Sequence, residues 1–165
     1  MINDNIFNFS TDRKEIIETF ERLKFWGETT VLTNGCFDVL HVGHINLINN
    51  SKMLGDNLIV AINSDRSVRE LKGESRPIVN EDDRSFILSN LKAVDYVIIY
   101  DEDTPNELLK ILKPDYLAKG GEYTIDQLKH VGGDIVTSYG GKVVTMPMSH
   151  GRSTTNIARK INELD

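Results

Sequence analysis

The stretch Thr33-Asn34-Gly35-Cys36-Phe37-Asp38-Val39-Leu40-His41-Val42-Gly43-His44 joins an apolar run to an amphipathic segment. Val31 and Leu32 precede it, and helical spacing begins at Ile45. A strand, a tight loop and a helix that meet in so short a span direct backbone N–H groups and the positive end of the helix dipole at a ligand, which favours an anion. His41 and His44 face the same way if both lie in the first helical turn. The stretch predicts a phosphate-binding junction, and polar capping of the helix is the alternative for the histidines alone.

Length, charge and cysteine content restrict the class of protein. The chain has 165 residues, a formal net charge of −6 and one cysteine, Cys36. This length suffices for one domain with a buried core. The acidic balance argues against a surface that coats nucleic acid, and one cysteine excludes an internal disulfide and a cysteine-rich zinc site. No apolar run is long enough to span a membrane, and the N-terminus has no basic region followed by an apolar one. We therefore expect a cytoplasmic protein.

Short apolar runs alternate with segments of helical spacing, which predicts strand–helix units. The five predicted strands are 29–33, 58–62, 96–99, 115–118 and 142–146, and residues 1–9 are expected to be loosely held. Ser64 or Asp65 is expected to cap the helix after the second strand, and Asn80 is expected to cap a helix over 81–92 that carries Arg84. A short helix is predicted over 125–130. The five strands indicate an α/β fold with a doubly wound, Rossmann-like, five-stranded parallel sheet in a single domain. We expect residues 29–165 to form this domain, preceded by an N-terminal extension, residues 1–28, with a helix. Neither Gly-x-x-x-x-Gly-Lys-Ser/Thr nor Gly-x-Gly-x-x-Gly occurs, which excludes a P-loop protein and speaks against a dinucleotide-binding oxidoreductase.

Two polar loops follow from the first half of this pattern. Asp65 comes directly after the second predicted strand, at the carboxyl edge where open α/β folds bind ligands. It predicts contact with a metal or a substrate hydroxyl, or else a helix cap. The loop 71–77 carries Lys72 and Arg76, which predict a cationic clamp that closes over a triphosphate. A solvated loop is the alternative.

Two further segments complete the predicted site. Lys119-Gly120-Gly121-Glu122-Tyr123 leaves the fourth strand, and its glycines permit close approach to a ligand. Glu122 is suited to accept from ribose hydroxyls and Tyr123 to flank a base, although an ordinary glycine turn would look the same. Ser153-Thr154-Thr155 opens the last helix and predicts a second anion site, since capping alone needs one hydroxyl.

These groups suit one kind of chemistry, the attack of a phosphorylated substrate on the α-phosphorus of a nucleoside triphosphate. A substrate phosphate is already ionised near neutral pH and needs no general base. The protein would supply positioning and charge stabilisation through His41, His44, Lys72 and the hydroxyls of 153–155. We expect Mg²⁺ to bridge phosphate oxygens and to be bound mainly through the phosphates. Cys36 has no paired base and is expected to act through the loop backbone.

The chain resembles the nucleotidyltransferase superfamily with the His-x-Gly-His signature, and within it the adenylyltransferase domain of ADP-heptose synthases. The resemblance extends from Thr33 to about Ile161 and rests on these segments in the same order: residues 33–44, 61–65, 71–77, 102–105, 119–123 and 151–157. It implies transfer of AMP from ATP to D-glycero-β-D-manno-heptose 1-phosphate, which gives ADP-heptose for cell-surface glycans such as the lipopolysaccharide core. It also implies magnesium dependence and a homodimer. This domain is often fused to a sugar kinase, and the chain is too short to carry one, so we expect a separate kinase to supply the sugar phosphate.

The resemblance also implies roles for individual residues. His41, His44 and Lys72 match the catalytic, phosphate-binding groups. Asp38, Asp65, Lys72 and Arg76 are assigned to the acceptor substrate. The residues expected to bind the nucleotide are Thr33, Asn34, Gly35, Cys36, Phe37, His41, Gly43, His44, Lys119, Gly120, Gly121, Glu122, Tyr123, Ser153, Thr154 and Thr155.

Two alternatives remain open at this point. One is a cytidylyltransferase, or another nucleotidyltransferase, that acts on glycerol 3-phosphate or a different alditol or sugar phosphate. Glycerol-3-phosphate cytidylyltransferases have an arginine shortly before the Ser-Thr-Thr element, where Met148 stands here, and this departure weakens that interpretation. The other is a module that binds ATP without turnover, against which the presence of His41, His44 and Lys72 argues. Base preference and the anomer of the acceptor do not follow from the residues.

Overall fold

The computed structural model describes residues 6–8, 13–121, 123–147 and 154–164. Its six strands form one parallel sheet in the order β1-β4-β3-β2-β5-β6. The strands are β1 (Ile6–Asn8), β2 (Thr30–Gly35), β3 (Asn57–Asn63), β4 (Tyr96–Tyr100), β5 (Tyr116–Gly120) and β6 (Lys142–Met146). The helices are α1 (Arg13–Phe25), α2 (Val42–Lys52), α3 (Asp65–Lys72), α4 (Glu81–Ser89), α5 (Asn106–Leu112), α6 (Ile125–Leu128), α7 (Asp134–Ser138) and α8 (Thr154–Asn162).

The strands are apolar because helices cover both faces of the sheet. Successive side chains of a strand point to opposite faces, and Leu58 and Ile59 accordingly join different apolar clusters. One cluster contains side chains from α1, α5 and α7, and the other contains side chains from α2 and α4. All seven residues of β3 are buried, as expected for a central parallel strand. The predicted doubly wound α/β fold is therefore confirmed.

The structure differs from the predicted elements in two places. A sixth strand, β1, pairs with β4 at the edge of the sheet, although residues 1–9 were expected to be loosely held. Three residues are too short a run for a periodic pattern to reveal. The helix predicted over 125–130 is α6, which ends at Leu128 and is followed by a kinked turn, Lys129–Gly133, and then by α7. Val131 and Gly132 in this turn have non-helical φ and ψ, and helical spacing in the sequence does not reveal such a kink.

Several local signals behave as the sequence predicts. Ser64 caps α3 by accepting from the backbone N–H of Ser67, and Asn80 caps α4 by accepting from that of Asp83. Helix α1 buries Ile16, Phe20 and Leu23 against the sheet. The division of the chain at residue 28 stays a prediction. Within the described ranges, no helix combines the length and apolarity that crossing a membrane requires.

Candidate active site

The carboxyl ends of β2 and β5 lie side by side at the centre of the sheet. After β2 the chain enters α2 on one face, and after β5 it continues to α7 on the other. Strand order reverses at this point, which is where open α/β folds form a ligand crevice. A cleft of about 470 Å³ opens there. The predicted residues that line it are Asn34, Gly35, Cys36, Phe37, Asp38, His41, Gly43, His44, Lys72, Lys119, Gly120, Tyr123, Thr154 and Thr155.

The two histidines stand at the N-terminus of α2. His41 is the N-cap, and its Nδ1 accepts from the backbone N–H of Gly43 at 3.1 Å. Since Nδ1 is the acceptor, neutral His41 carries its proton on Nε2. The rings of His41 and His44 stack with centroids 3.8 Å apart. Capping and ligand binding are therefore compatible for His41, which does the first and lines the cleft.

Burial favours the neutral form of both imidazoles. It lowers the pKa of His41, and it lowers the pKa of His44 to about 4; the charge that His41 carries when protonated and the charge of Lys72 add to the effect on His44. His44 Nδ1 is buried and has no hydrogen-bond partner among the described atoms. Any hydrogen bond that His44 makes to a ligand in this conformation must therefore use Nε2. A neutral imidazole at this position can donate to a phosphate oxygen without the desolvation cost of a buried cation.

The loop between β2 and α2 packs the aromatic ring of Phe37 against His44. Phe37 adopts a positive φ of 48° and is buried, and its ring centroid lies 4.9 Å from that of His44. A Cβ atom at Gly35 would lie only 3.3 Å from the Phe37 ring. The absence of a side chain at Gly35 therefore leaves room for the Phe37 ring to pack against His44.

A chain of polar side chains crosses the switch point. Lys119 Nζ donates to Asn34 Oδ1, and Asn34 Nδ2 donates to the Tyr100 hydroxyl at 3.2 Å. The Lys119 side chain is buried, which lowers its pKa to about 8. Burial also raises the pKa of Tyr100 to about 12, so that its hydroxyl stays protonated. The cleft thus contains an ammonium group whose charge changes near neutral pH.

Helix α8, near the C-terminal end of the sequence, contributes hydroxyl groups to the cleft. Thr154 and Thr155 line the cleft, and Thr154 Oγ1 donates to the backbone oxygen of Val39 at 3.4 Å. This bond connects the start of α8 to the loop that carries His41. The predicted residues Ser153 and Glu122 lie outside the described residues.

Four predicted residues do not line the cleft. Thr33 is fully buried in β2, and Gly121 lies just beyond the cleft wall. Arg76 donates to Asp38 at 2.8 Å, and Asp65 accepts from Arg84 at 2.7 Å and faces a separate cleft of about 360 Å³. The predicted contacts of Asp65 and Arg76 with the acceptor stay predictions.

Asp38 lines the cleft but is occupied by protein donors. It accepts from Arg76 and from the backbone N–H groups of Ile78 and Val79, at 2.6 and 3.0 Å for the latter two. Burial opposes its ionisation, but the bonds from Val79, Arg76 and Ile78 outweigh burial and lower its pKa. Its predicted contact with the acceptor is untested.

Sequence reasoning missed several residues of this region. Leu47, Val131 and Pro147 provide apolar walls, and a Cβ at Gly120 would lie 3.2 Å from Leu47. No local signal marks them, because apolar residues are common in cores. Arg84 was noted only as a charge on α4, although it shares a helix face with buried Leu88 four residues on, and that spacing could have identified it.

The described residues contain no group of three His, Cys, Asp or Glu side chains that could hold a metal ion. The cleft instead presents ammonium groups, imidazoles and hydroxyls. This donor set fits a metal that arrives bound to the phosphates of a nucleotide.

Comparisons with known proteins agree with this geometry. A family model described as cytidylyltransferase-like matches residues 32–160. The bifunctional protein HldE of Koribacter versatilis is 51% identical over 148 residues, which are 90% of this chain and 30% of that protein. HldE of Geobacter metallireducens is 52% identical over 141 residues, 86% of this chain and 28% of that protein. The chain thus spans less than a third of the length of these curated relatives.

Solved structures also resemble the fold. A lipopolysaccharide core biosynthesis protein from Thermoplasma volcanium superposes with a TM-score of 0.61 at 31% identity, covering 74% of this chain and 98% of that one. A pantoate–β-alanine ligase from Francisella tularensis, at 19% identity and a TM-score of 0.57, covers 89% of this chain and 76% of that one and shows the shared fold alone. Because the family model covers most of the chain and includes both histidines and most of α8, the chain belongs to the cytidylyltransferase-like family of nucleotidyltransferases.

Proposed function

We propose that this chain transfers AMP from ATP to D-glycero-β-D-manno-heptose 1-phosphate, with release of pyrophosphate. The observation that carries the proposal is the meeting of His41 and His44 at the start of α2 with Lys72 and the threonines of α8 in one cleft. Two helix N-termini and a lysine around one space favour a polyphosphate ligand. Similarity to the HldE proteins and to a lipopolysaccharide core biosynthesis protein supports the sugar phosphate as acceptor.

The proposed reaction is an in-line displacement at the α-phosphorus of ATP. An oxygen of the sugar phosphate forms the new bond, and the bond from the α-phosphorus to the bridging oxygen of the β-phosphate breaks. His44 donates from Nε2 to an α-phosphate oxygen, and Thr154 and Thr155 hold the β- and γ-phosphates. Lys72 offsets the charge that develops on the reacting and leaving oxygens.

The remaining parts of the proposal concern the substrates. Mg²⁺ would enter as a complex with ATP and screen the phosphates. Tyr123 and the glycines that follow β5 would contact the nucleoside, and Asp38, Asp65 and Arg76 would serve the acceptor. A sugar kinase must supply the 1-phosphate, and we place the reaction in the cytoplasm, where ATP is available. A homodimer is part of the same proposal.

The test is pyrophosphate release with Mg²⁺, with each of ATP, CTP, GTP and UTP paired with heptose 1-phosphate or glycerol 3-phosphate. We expect release only with ATP and the heptose. His44→Ala should lower the rate by at least about 100-fold, because one donor to the transition state is lost. His130→Ala is the matched control, since His130 is exposed and outside the cleft.

Each other result has a defined meaning. Release with CTP and glycerol 3-phosphate would replace the proposal with a cytidylyltransferase. No release from any pair, with ATP still bound, would favour the ATP-binding module. A normal rate in His44→Ala would refute the assigned catalytic site.

A further inference from the structure

Arg84 is a buried cation that connects three segments around the cleft. Its side chain is fully buried. Nη1 donates to the backbone oxygens of Cys36 and Asn63 at 2.6 and 2.9 Å, and Nε donates to that of Val79 at 2.9 Å. Nη2 donates to Asp65 at 2.7 Å. The guanidinium therefore joins the loop that follows β2, the junction of β3 with α3, and the segment 73–80.

Asp38 also binds segment 73–80. Its side chain is 1% exposed and accepts from Arg76, Ile78 and Val79. Asp38 lies in the loop that leads to His41, so this loop and segment 73–80 are held together by two buried charges of opposite sign. Breaking either set of bonds would leave a buried group unpaired, which is costly.

Lys72 depends on this arrangement. It is exposed, lines the cleft and lies close enough to His44 for its charge to lower the pKa of that imidazole. In the part of the chain that the structure describes, no hydrogen bond or ion pair holds its ammonium group. Lys72 is the last residue of α3, so its location is set by the backbone on both sides. Asp65, the first residue of α3, accepts from Arg84, and segment 73–80 leaves α3 at Gly73 and is next fixed at Arg76, Ile78 and Val79.

We propose that Arg84 is a positioning residue, which fixes segment 73–80 to the loop of His41 and so holds Lys72 over the reacting phosphates. This inference rests on the proposed function for its effect on rate. It is separate from the predicted contact of Asp38 with the acceptor, so the test centres on Arg84.

The first experiment is a double-mutant cycle of Arg84→Lys and Lys72→Ala, with kcat and KM measured for each variant. Arg84→Lys keeps the charge but cannot reach all four acceptors. We expect it to lower kcat/KM by about 100-fold, as misplacement of a catalytic group does. The double variant should be no slower than Lys72→Ala alone, because a lysine that is absent cannot be misplaced. Losses that multiply would overturn the proposal.

A control and a second measurement separate positioning from stability. Arg66→Lys is the matched control, since Arg66 is half-exposed and pairs with Asp101 and Glu70 on the surface, and the kcat/KM of this variant should be unchanged.

Amide hydrogen exchange of the Arg84→Lys and Asp38→Asn variants should speed up at Ile78 and Val79 while the central strands stay protected. Unchanged exchange at these amides would refute the proposed attachment of segment 73–80. This measurement does not depend on activity, whereas inactivity of the wild-type protein with every substrate pair would refute the proposed function.

Discussion

Lys119 shows how a single side chain acquires its chemistry from its surroundings. In the sequence it is a lysine that is followed by a pair of glycines. In the structure it is buried at the switch point and donates to Asn34, whose orientation is set by Tyr100. Burial lowers its pKa to about 8, so a small rise in pH removes one positive charge from the cleft.

We predict that ATP affinity falls as pH rises through about 8. The ammonium is mostly charged at pH 7 and mostly neutral at pH 9, so the Kd should rise by up to about tenfold between these values if its charge contributes to binding. Lys119→Met should bind ATP weakly at both pH values and should match the wild type at pH 9. Calorimetric titration at fixed ionic strength measures this. A wild-type Kd that does not change with pH would show that the charge is not used.

The segment from α6 to α7 is an element whose shape follows from one glycine. Gly132 lies in the kinked turn between α6 and α7 with a φ of 95°, and Val131 beside it lines the cleft. A Cβ at Gly132 would lie 2.3 Å from Leu109 in α5, which is fully buried. The turn therefore packs directly against Leu109 in the core and places Val131 in the lining of the cleft.

Gly132→Ala should destabilise the fold by at least about 2 kcal/mol, since it adds backbone strain to a steric clash. The free energy of unfolding in urea measures the loss. Gly140→Ala is the matched control, because Gly140 has a similar φ of 92° but no atom within 4 Å of its Cβ position. That variant should lose only the part due to strain, about 1 kcal/mol. Equal losses in the two variants would show that space at Leu109 is not limiting.

At the scale of the whole molecule, an acidic protein presents a cationic cleft. The net charge is −6, yet the cleft is lined by Lys72 and Lys119, and its one acidic residue among the described lining, Asp38, is already paired. Strand order creates this contrast, because it brings together the ends of β2 and β5, which are distant in sequence. A cleft of this kind attracts anions locally without making the whole surface basic.

We predict that removal of Mg²⁺ abolishes pyrophosphate release but leaves the fold intact. Phosphate oxygens are ligands that Mg²⁺ prefers, so in the proposed reaction the ion acts as a complex with ATP. EDTA should stop the reaction and excess Mg²⁺ should restore it, while the melting temperature without nucleotide should be the same in both. A shift of several degrees caused by Mg²⁺ alone would indicate a resident metal site and contradict this prediction.

Features that depend on neighbouring residues could be predicted from the sequence. Apolar runs such as residues 58–62 predicted buried parallel strands, and Ser64 and Asn80 predicted helix caps that the structure contains. Residues 33–44 predicted the strand, loop and helix that present His41 and His44. Local signals suffice here, because periodicity, capping and glycine turns involve atoms only a few residues apart.

Contacts between side chains that are far apart in the sequence were not predictable and were set by the fold. It buried Arg84 and paired it with Asp65, joined Lys119 to Asn34, and brought Val131 and Pro147 to the cleft. Burial, pKa and pairing depend on atoms that approach through space, and a linear pattern does not contain those distances. The sequence therefore predicted the junction at which we propose that phosphate binds, and the fold showed which side chains line the cleft and which are paired with other protein groups.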